Sequence, residues 1–202
     1  MCDHIGIREF NFCPNCGIKL NAPINKFIGD CVDIEGNAYK TMLFGDQEWM
    51  IEDLKTTKYN DGTPIKIVEC GKCWSNLKTP AMCYYNNDSL KNILYNWYAV
   101  NTGKLAPKGW HIPTHEEWTK AEKYIKKNHR LFNALPGGYR NVDGNFYIQS
   151  DGGHWWSATE YDASNAWNRH LYDRDEYLYR DGYLYRDYDN KSCGFSLRLA
   201  RD

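Results

Sequence analysis

One well-signalled helix in an otherwise turn-broken chain most restricts how this sequence folds. Thr114 is placed to cap it, and Glu117 three residues on completes a capping box. Trp118, Ala121, Tyr124 and Ile125 then recur on one face, and Lys126 and Lys127 suit the C-terminal end, where the helix dipole favours positive charge. Beyond this helix the chain breaks at Gly137-Gly138, Asp143-Gly144 and Gly152-Gly153, the pattern of a β-rich region dense in turns. Before it, Val32 to Met42 reads as strand, turn and strand, and Asn60-Asp61-Gly62-Thr63-Pro64 as a turn. Trp49, Met50, Ile51 and Leu54 are assigned to the core. His115-Glu116-Glu117 is not a zinc-protease motif, because position 119 holds Thr instead of a second His.

The 202 residues suit one domain with a small appendage. A net charge of -1 provides no basic field for nucleic acid or an acidic membrane, so neither partner is expected. No apolar run approaches the roughly 20 residues of a membrane span, and Met1-Cys2-Asp3-His4 lacks the layout of a signal peptide. A soluble protein, cytoplasmic or part of a viral particle, is expected. Its cysteines are expected to be reduced, since a domain this long can bury its own core without a disulfide framework.

The appendage has chemistry of its own. Cys13-Pro14-Asn15-Cys16-Gly17 looks like a zinc knuckle, in which the glycine lets the backbone turn so that both thiolates face one ion. Cys2 and His4 complete a set of four ligands, which points to a structural zinc with no open position. A second pair, Cys70-Gly71-Lys72-Cys73, is an alternative source of ligands for Cys13 and Cys16. Residues 1–22 form this segment, 23–30 read as a linker containing Pro23 and Gly29, and 31–202 form the main domain.

Several segments of that domain carry a family likeness. They are Gly45-Asp46-Gln47-Glu48-Trp49-Met50, Tyr95-Asn96-Trp97-Tyr98-Ala99-Val100-Asn101, Gly109-Trp110-His111-Ile112-Pro113-Thr114, Leu135-Pro136-Gly137-Gly138-Tyr139-Arg140, Trp155-Trp156-Ser157-Ala158-Thr159-Glu160 and Gly194-Phe195-Ser196-Leu197-Arg198. In this order they resemble the Fibrobacter succinogenes major paralogous domain over about residues 31–202. That family is similar to formylglycine-generating-enzyme-like domains, which implies an α+β, C-type-lectin-like fold. Such domains also look like the variable proteins of diversity-generating retroelements, in which mutation of adenines rewrites a ligand-binding surface.

The sequence itself bears on that last likeness. Varying the first adenine of AAC or AAT yields only Asn, Asp, His and Tyr codons. From Tyr161 to Asn190 these four types fill seventeen of thirty positions. The candidate ligand-binding residues, in a variable region of about 161–193, are Tyr161, Asp162, Ser164, Asn165, His170, Tyr172, Asp173, Asp175, Tyr177, Tyr179, Asp181, Tyr183, Tyr185, Asp187, Tyr188, Asp189 and Asn190. Trp167, Arg169, Leu171, Leu178, Leu184, Gly194 and Phe195 cannot arise by one such step and stand as a fixed frame. The repeat Tyr177-Leu178-Tyr179-Arg180-Asp181-Gly182 and Tyr183-Leu184-Tyr185-Arg186-Asp187 suggests a hairpin turning at Asp181-Gly182. Leu178 and Leu184 would face inward and Tyr177, Tyr179, Tyr183 and Tyr185 outward. Tyrosine supplies large contact area with few rotatable bonds, and Asp, Asn, His and Ser add adaptable polar contacts.

The expected function is therefore non-enzymatic binding of a protein or cell-surface ligand. Three alternatives compete with it. A tyrosine-rich hairpin can be ordinary sheet surface held by cross-strand pairs. Asp173, Asp175, Asp187 and Asp189 could serve a Ca²⁺-dependent carbohydrate-binding module, though no EF-hand spacing is present. The enzyme likeness implies an oxidase with a pair of copper-binding cysteines, yet Cys31, Cys70, Cys73, Cys83 and Cys193 include no pair in matching context.

Overall fold

The domain starts with a hairpin whose turn is built by one carboxylate. Strand β1 (Phe27–Val32) pairs antiparallel with β2 (Ala38–Phe44). Between them Asp33 accepts the backbone amides of Glu35 and Asn37 at 2.9 and 3.0 Å and the Tyr39 hydroxyl at 2.6 Å. The computed structural model describes residues 27–75, 77–127, 132, 137–147, 152–172 and 184–202. The first of these correct the expected linker 23–30, because residues 27–30 already belong to β1. Gly29, which reads as a breaker in sequence, sits beside a register shift between Phe27 and Gly29, an irregularity that an edge strand tolerates.

Strand β3 (Gln47–Met50) continues this sheet, and the C-terminal strand β12 (Ala200–Arg201) pairs with β3, giving the order β1-β2-β3-β12. Both ends of the described domain therefore meet in one sheet. Trp49, Met50, Ile51 and Leu54 are buried, as their apolar run requires. A five-stranded sheet has the order β4 (Met82–Tyr84), β5 (Ile93–Asn96), β11 (Gly194–Phe195), β6 (Tyr139–Arg140) and β7 (Phe146–Tyr147). A third sheet holds β8 (Gly152–Glu160), with β9 (Asn165–Tyr172) at its centre and β10 (Tyr185–Asn190) beyond. Bridges from Gly138 to Gly153 and from Trp155 to Ser196 join the second and third sheets. The fold is β-rich; the helices among the described residues include α1 (Gly71–Ser75), a 3-10 turn at Tyr85–Asn87, α2 (Trp97–Val100) and α3 (His115–Lys127).

Helix α3 begins where the sequence places it. Thr114 and Glu117 exchange capping bonds: the Glu117 amide donates to Thr114 Oγ1 at 3.2 Å, and the Thr114 amide donates to Glu117 Oε2 at 2.7 Å. Its buried face, Trp118, Ala121 and Ile125, meets Trp49, Phe132, Trp155, Leu171 and Leu184. Trp118 stands edge-on to Trp49 with ring centroids 4.8 Å apart. Burying each of these aromatic or leucine side chains contributes about 1.5–3 kcal/mol, which fixes α3 against the third sheet.

The tyrosine repeat is only partly within view. Residues 173–183 lie outside the described residues, and with them Leu178 and the expected turn at Asp181-Gly182. The strand expected from Tyr183 instead begins at Tyr185 and runs to Asn190, pairing with β9. Leu184 is buried as the alternation requires. Among the described residues no helix is long and apolar enough to cross a membrane.

Candidate functional site

The described part of the candidate surface is the three-stranded sheet and its two end turns. The turn from β8 to β9 is made by Asp162, whose Oδ1 accepts the amides of Ser164 and Asn165 at 2.7 and 2.8 Å while its Oδ2 accepts Asn165 Nδ2 at 2.9 Å. The Asn165 side chain and the Ser164 amide hold the Asp162 carboxyl below the usual carboxylate range. Asn190 closes the far end of β10 by accepting the Ser192 amide at 3.0 Å and the Cys193 amide at 2.8 Å. The Lys191 amide donates to Ser164 at 2.9 Å and its ammonium to Ala163 at 2.9 Å, with Glu160 as ion partner. Asp162, Ser164, Asn165 and Asn190 thus also shape the rim.

Strand alternation divides the remaining candidates between two faces. Tyr188 pairs with Trp167 and Arg186 with Arg169, on the side that meets α3. Tyr185 pairs with His170, Asp187 with Asn168 and Asp189 with Ala166, on the opposite side.

The α3 side carries an exposed aromatic cluster. Tyr161 and Tyr188 stack with ring centroids 3.9 Å apart and planes 7° from parallel, and each retains 45% of its surface. Trp167 meets Tyr161 edge-on at 4.9 Å, and His115 backs Trp167 at 4.1 Å. Burial and the nearby Arg169 and Arg186 charges lower the His115 pKa, favouring a neutral ring. Beneath the cluster Glu122 holds two guanidinium groups: fully buried Arg169 donates Nε to Oε1 at 2.9 Å, and Arg186 donates Nη2 to Oε2 at 2.6 Å. Arg169 Nη2 also donates to the His115 carbonyl and to Thr119 Oγ1, both at 3.1 Å. The frame under the tyrosines is therefore pinned to α3 through charge-assisted bonds.

The opposite face is a half-buried polar layer. Tyr185 stacks on His170 at 5.3 Å, and His170 lies 5.3 Å from His154. Burial, then the His170 charge, pushes His154 down to about 3, and burial also lowers His170. Asn168, fully buried, donates Nδ2 to Asp189 Oδ2 at 2.9 Å. Desolvation and the neighbouring Asp187 charge push Asp189 up to about 6.

Of the other sequence candidates, Tyr172 ends β9. Asp173, Asp175, Tyr177, Tyr179, Asp181 and Tyr183 lie outside the described residues, as do Cys2, His4, Cys13 and Cys16. Among the described residues no group of three or more His, Cys, Asp or Glu is placed to hold a metal ion. In sequence His115 is weighed only as a zinc-protease ligand and rejected, and Glu122 carries no assignment. Their signal was the helical spacing of His115, Thr119 and Glu122, which puts all three on one face of α3 beside the apolar stripe.

Comparison with known families finds one match, to the Fibrobacter succinogenes major domain over residues 42–131, from β2 through α3. No curated protein and no solved structure matches the chain. The match takes in His115 and Glu122 but ends before β8. The chain thus carries the Fibrobacter succinogenes major domain across residues 42–131.

Proposed function

We propose that this protein is a non-catalytic ligand-binding protein, the variable protein of a diversity-generating retroelement, and that it displays its variable surface on a C-type-lectin-like scaffold. One observation carries the reading: Asn, Asp, His and Tyr occupy seventeen of the thirty positions from Tyr161 to Asn190. The packing is compatible with a frame and a display layer. Arg169, Leu171, Leu184 and Phe195, which one adenine change in an asparagine codon cannot produce, are buried, whereas Tyr161, Asp162, Asp187 and Tyr188 are exposed. The stacked pair Tyr161 and Tyr188 offers a rigid aromatic platform with hydroxyl handles. The ligand class is a protein or another cell-surface molecule.

The N-terminal segment belongs to the same proposal as a tether, with Cys2, His4, Cys13 and Cys16 holding a structural zinc. The DNA flanking the coding sequence tests the main reading. A near-identical repeat that differs from codons 161–193 only at adenines, beside a reverse transcriptase gene, is the expected result. Flanking DNA without such a repeat overturns it.

A further inference from the structure

Five cysteines fall among the described residues, and they divide sharply by environment. Cys31, Cys83 and Cys193 are buried, and desolvation pushes their thiols up to about 12, 11 and 12. Cys70 and Cys73 are exposed. They face each other across a single turn, closed by the Trp74 amide donating to the Cys70 carbonyl at 3.0 Å. The Cys73 amide donates to Cys70 Sγ at 3.3 Å.

This exposed pair stands on a fixed mount. Trp74, the next residue, is fully buried among Val68, Ala81, Cys83, Tyr85 and Leu94. On the preceding side, buried Arg140 donates Nη1 to the Val68 carbonyl at 2.6 Å and Nη2 to the Glu69 carbonyl at 2.7 Å. Its Nε binds the Gly144 carbonyl at 3.0 Å, and its guanidinium lies 4.6 Å over the Trp74 ring. Gly71 packs so closely on Gly144 (φ +82°) that a Cβ on Gly144 would come within 2.2 Å of the Gly71 carbonyl oxygen. The backbone of Cys70-Gly71-Lys72-Cys73 is thereby held from both sides while its two sulfurs face solvent.

We propose that Cys70 and Cys73 form a redox-active dithiol that closes to a disulfide by exchange with small disulfides of the glutathione type. The contact is one-sided: the Cys73 amide donates to Cys70 Sγ, which favours a thiolate at Cys70 over one at Cys73. Cys70 is therefore the attacking thiolate and Cys73 the resolving thiol. Cys70 Sγ attacks one sulfur of the small disulfide, whose other half leaves as a thiolate and takes up a proton. Cys73, on losing its proton, then attacks Cys70 Sγ in the mixed disulfide and expels the second small thiol. The protein dithiol is oxidised by two electrons, and one disulfide is reduced to two thiols. The one-turn spacing suits the Cα separation of about 4.4–6.8 Å that a disulfide spans. This site is independent of the surface on β8, β9 and β10.

The test uses the full chain in buffers of graded oxidised-to-reduced glutathione ratio, with peptide-level mass spectrometry. The peptide holding Cys70 and Cys73 is expected to lose two hydrogens reversibly, while the peptides holding Cys83 and Cys193 keep free thiols. Cys73→Ser should accumulate glutathione on Cys70 about tenfold faster than Cys70→Ser accumulates it on Cys73. Both side chains face solvent, so both variants should melt with the wild type, and the wild-type measurement stands alone if either does not. Thiols that persist at every ratio overturn the proposal, as do equal rates for the two variants. Zinc that is retained through Cys70 and Cys73 and blocks their oxidation also overturns it, by making the pair part of a metal site.

Discussion

Replacing Glu122 with Ala removes the countercharge of an arginine that has no access to water. Arg169 is fully buried, 2.9 Å from the Glu122 carboxylate, whereas the Arg186 side chain on the same carboxylate remains about half exposed, at 49%. Breaking a buried pair from one side costs about 3–5 kcal/mol, because the remaining charge stays desolvated. Arg169 keeps the His115 and Asn168 carbonyls and the Thr119 hydroxyl, which lowers the expected cost to about 2–4 kcal/mol. In a domain of this size that is a fall in Tm of about 5–15 °C. Arg186→Ala removes only the half-exposed partner and should cost about 1 kcal/mol or less. Urea unfolding with an unchanged m-value measures both variants. Adding Arg169→Met to Glu122→Ala should recover part of the loss, since the stranded charge is gone. Equal costs for Glu122→Ala and Arg186→Ala would refute the claim that Glu122 acts mainly through buried Arg169.

The polar layer on the opposite face makes stability depend on pH. Asp189, raised from 3.8 to about 6, contributes stability that is complete below pH 3.8 and lost as pH rises through about 6. Asp189→Asn should therefore match wild type near pH 4 and exceed it by about 1–2 kcal/mol above pH 7, by chemical unfolding across that range. His154, lowered from 6.5 to about 3, has the opposite sign: its contribution is complete above pH 6.5 and lost as pH falls toward 3, so His154→Phe should flatten the acid limb of the same curve. Thr114→Ala removes the cap of α3 and should cost about 1 kcal/mol in thermal unfolding. A double-mutant cycle on Tyr161→Ala and Tyr188→Ala should give a coupling of about 0.5–1.5 kcal/mol with no change in fold by circular dichroism. Metal analysis of purified protein should find one zinc per chain, lost on Cys13→Ser.

Local chemistry was the legible part of this fold. The Asp33 turn and the Thr114 and Glu117 capping box follow from contacts between residues near in sequence, and Trp49, Met50, Ile51 and Leu54 announce their burial by apolarity alone. The start of the domain was less legible, because Pro23 and Gly29 mark a break in composition while a glycine in an edge strand is tolerated at an irregularity. The partner of β10 was illegible for a different reason. An internal repeat suggests pairing with itself, whereas pairing with β9 depends on which strand lies at the sheet centre, and that is set by packing against α3. The same burial hid Glu122, whose charge reads as solvated surface until two arginines are brought to it.

Strand register also limits which positions of the biased stretch can display variation. Asn168 has a residue type that the codon argument allows to vary, yet it is fully buried and bonded to Asp189. Tyrosine there would have to displace Trp156 and Asp187, which oppose Asn168 on either side. Overpacking of that kind typically costs about 1–3 kcal/mol. Tyr161 and Tyr188 meet no such limit, because each keeps nearly half of its surface in solvent. On the proposed reading, sequenced variants should therefore diversify freely at 161, 187 and 188, and keep small polar residues at 168. Tyrosine at 168 as often as at 161 would show that selection on this surface ignores the packing of β9.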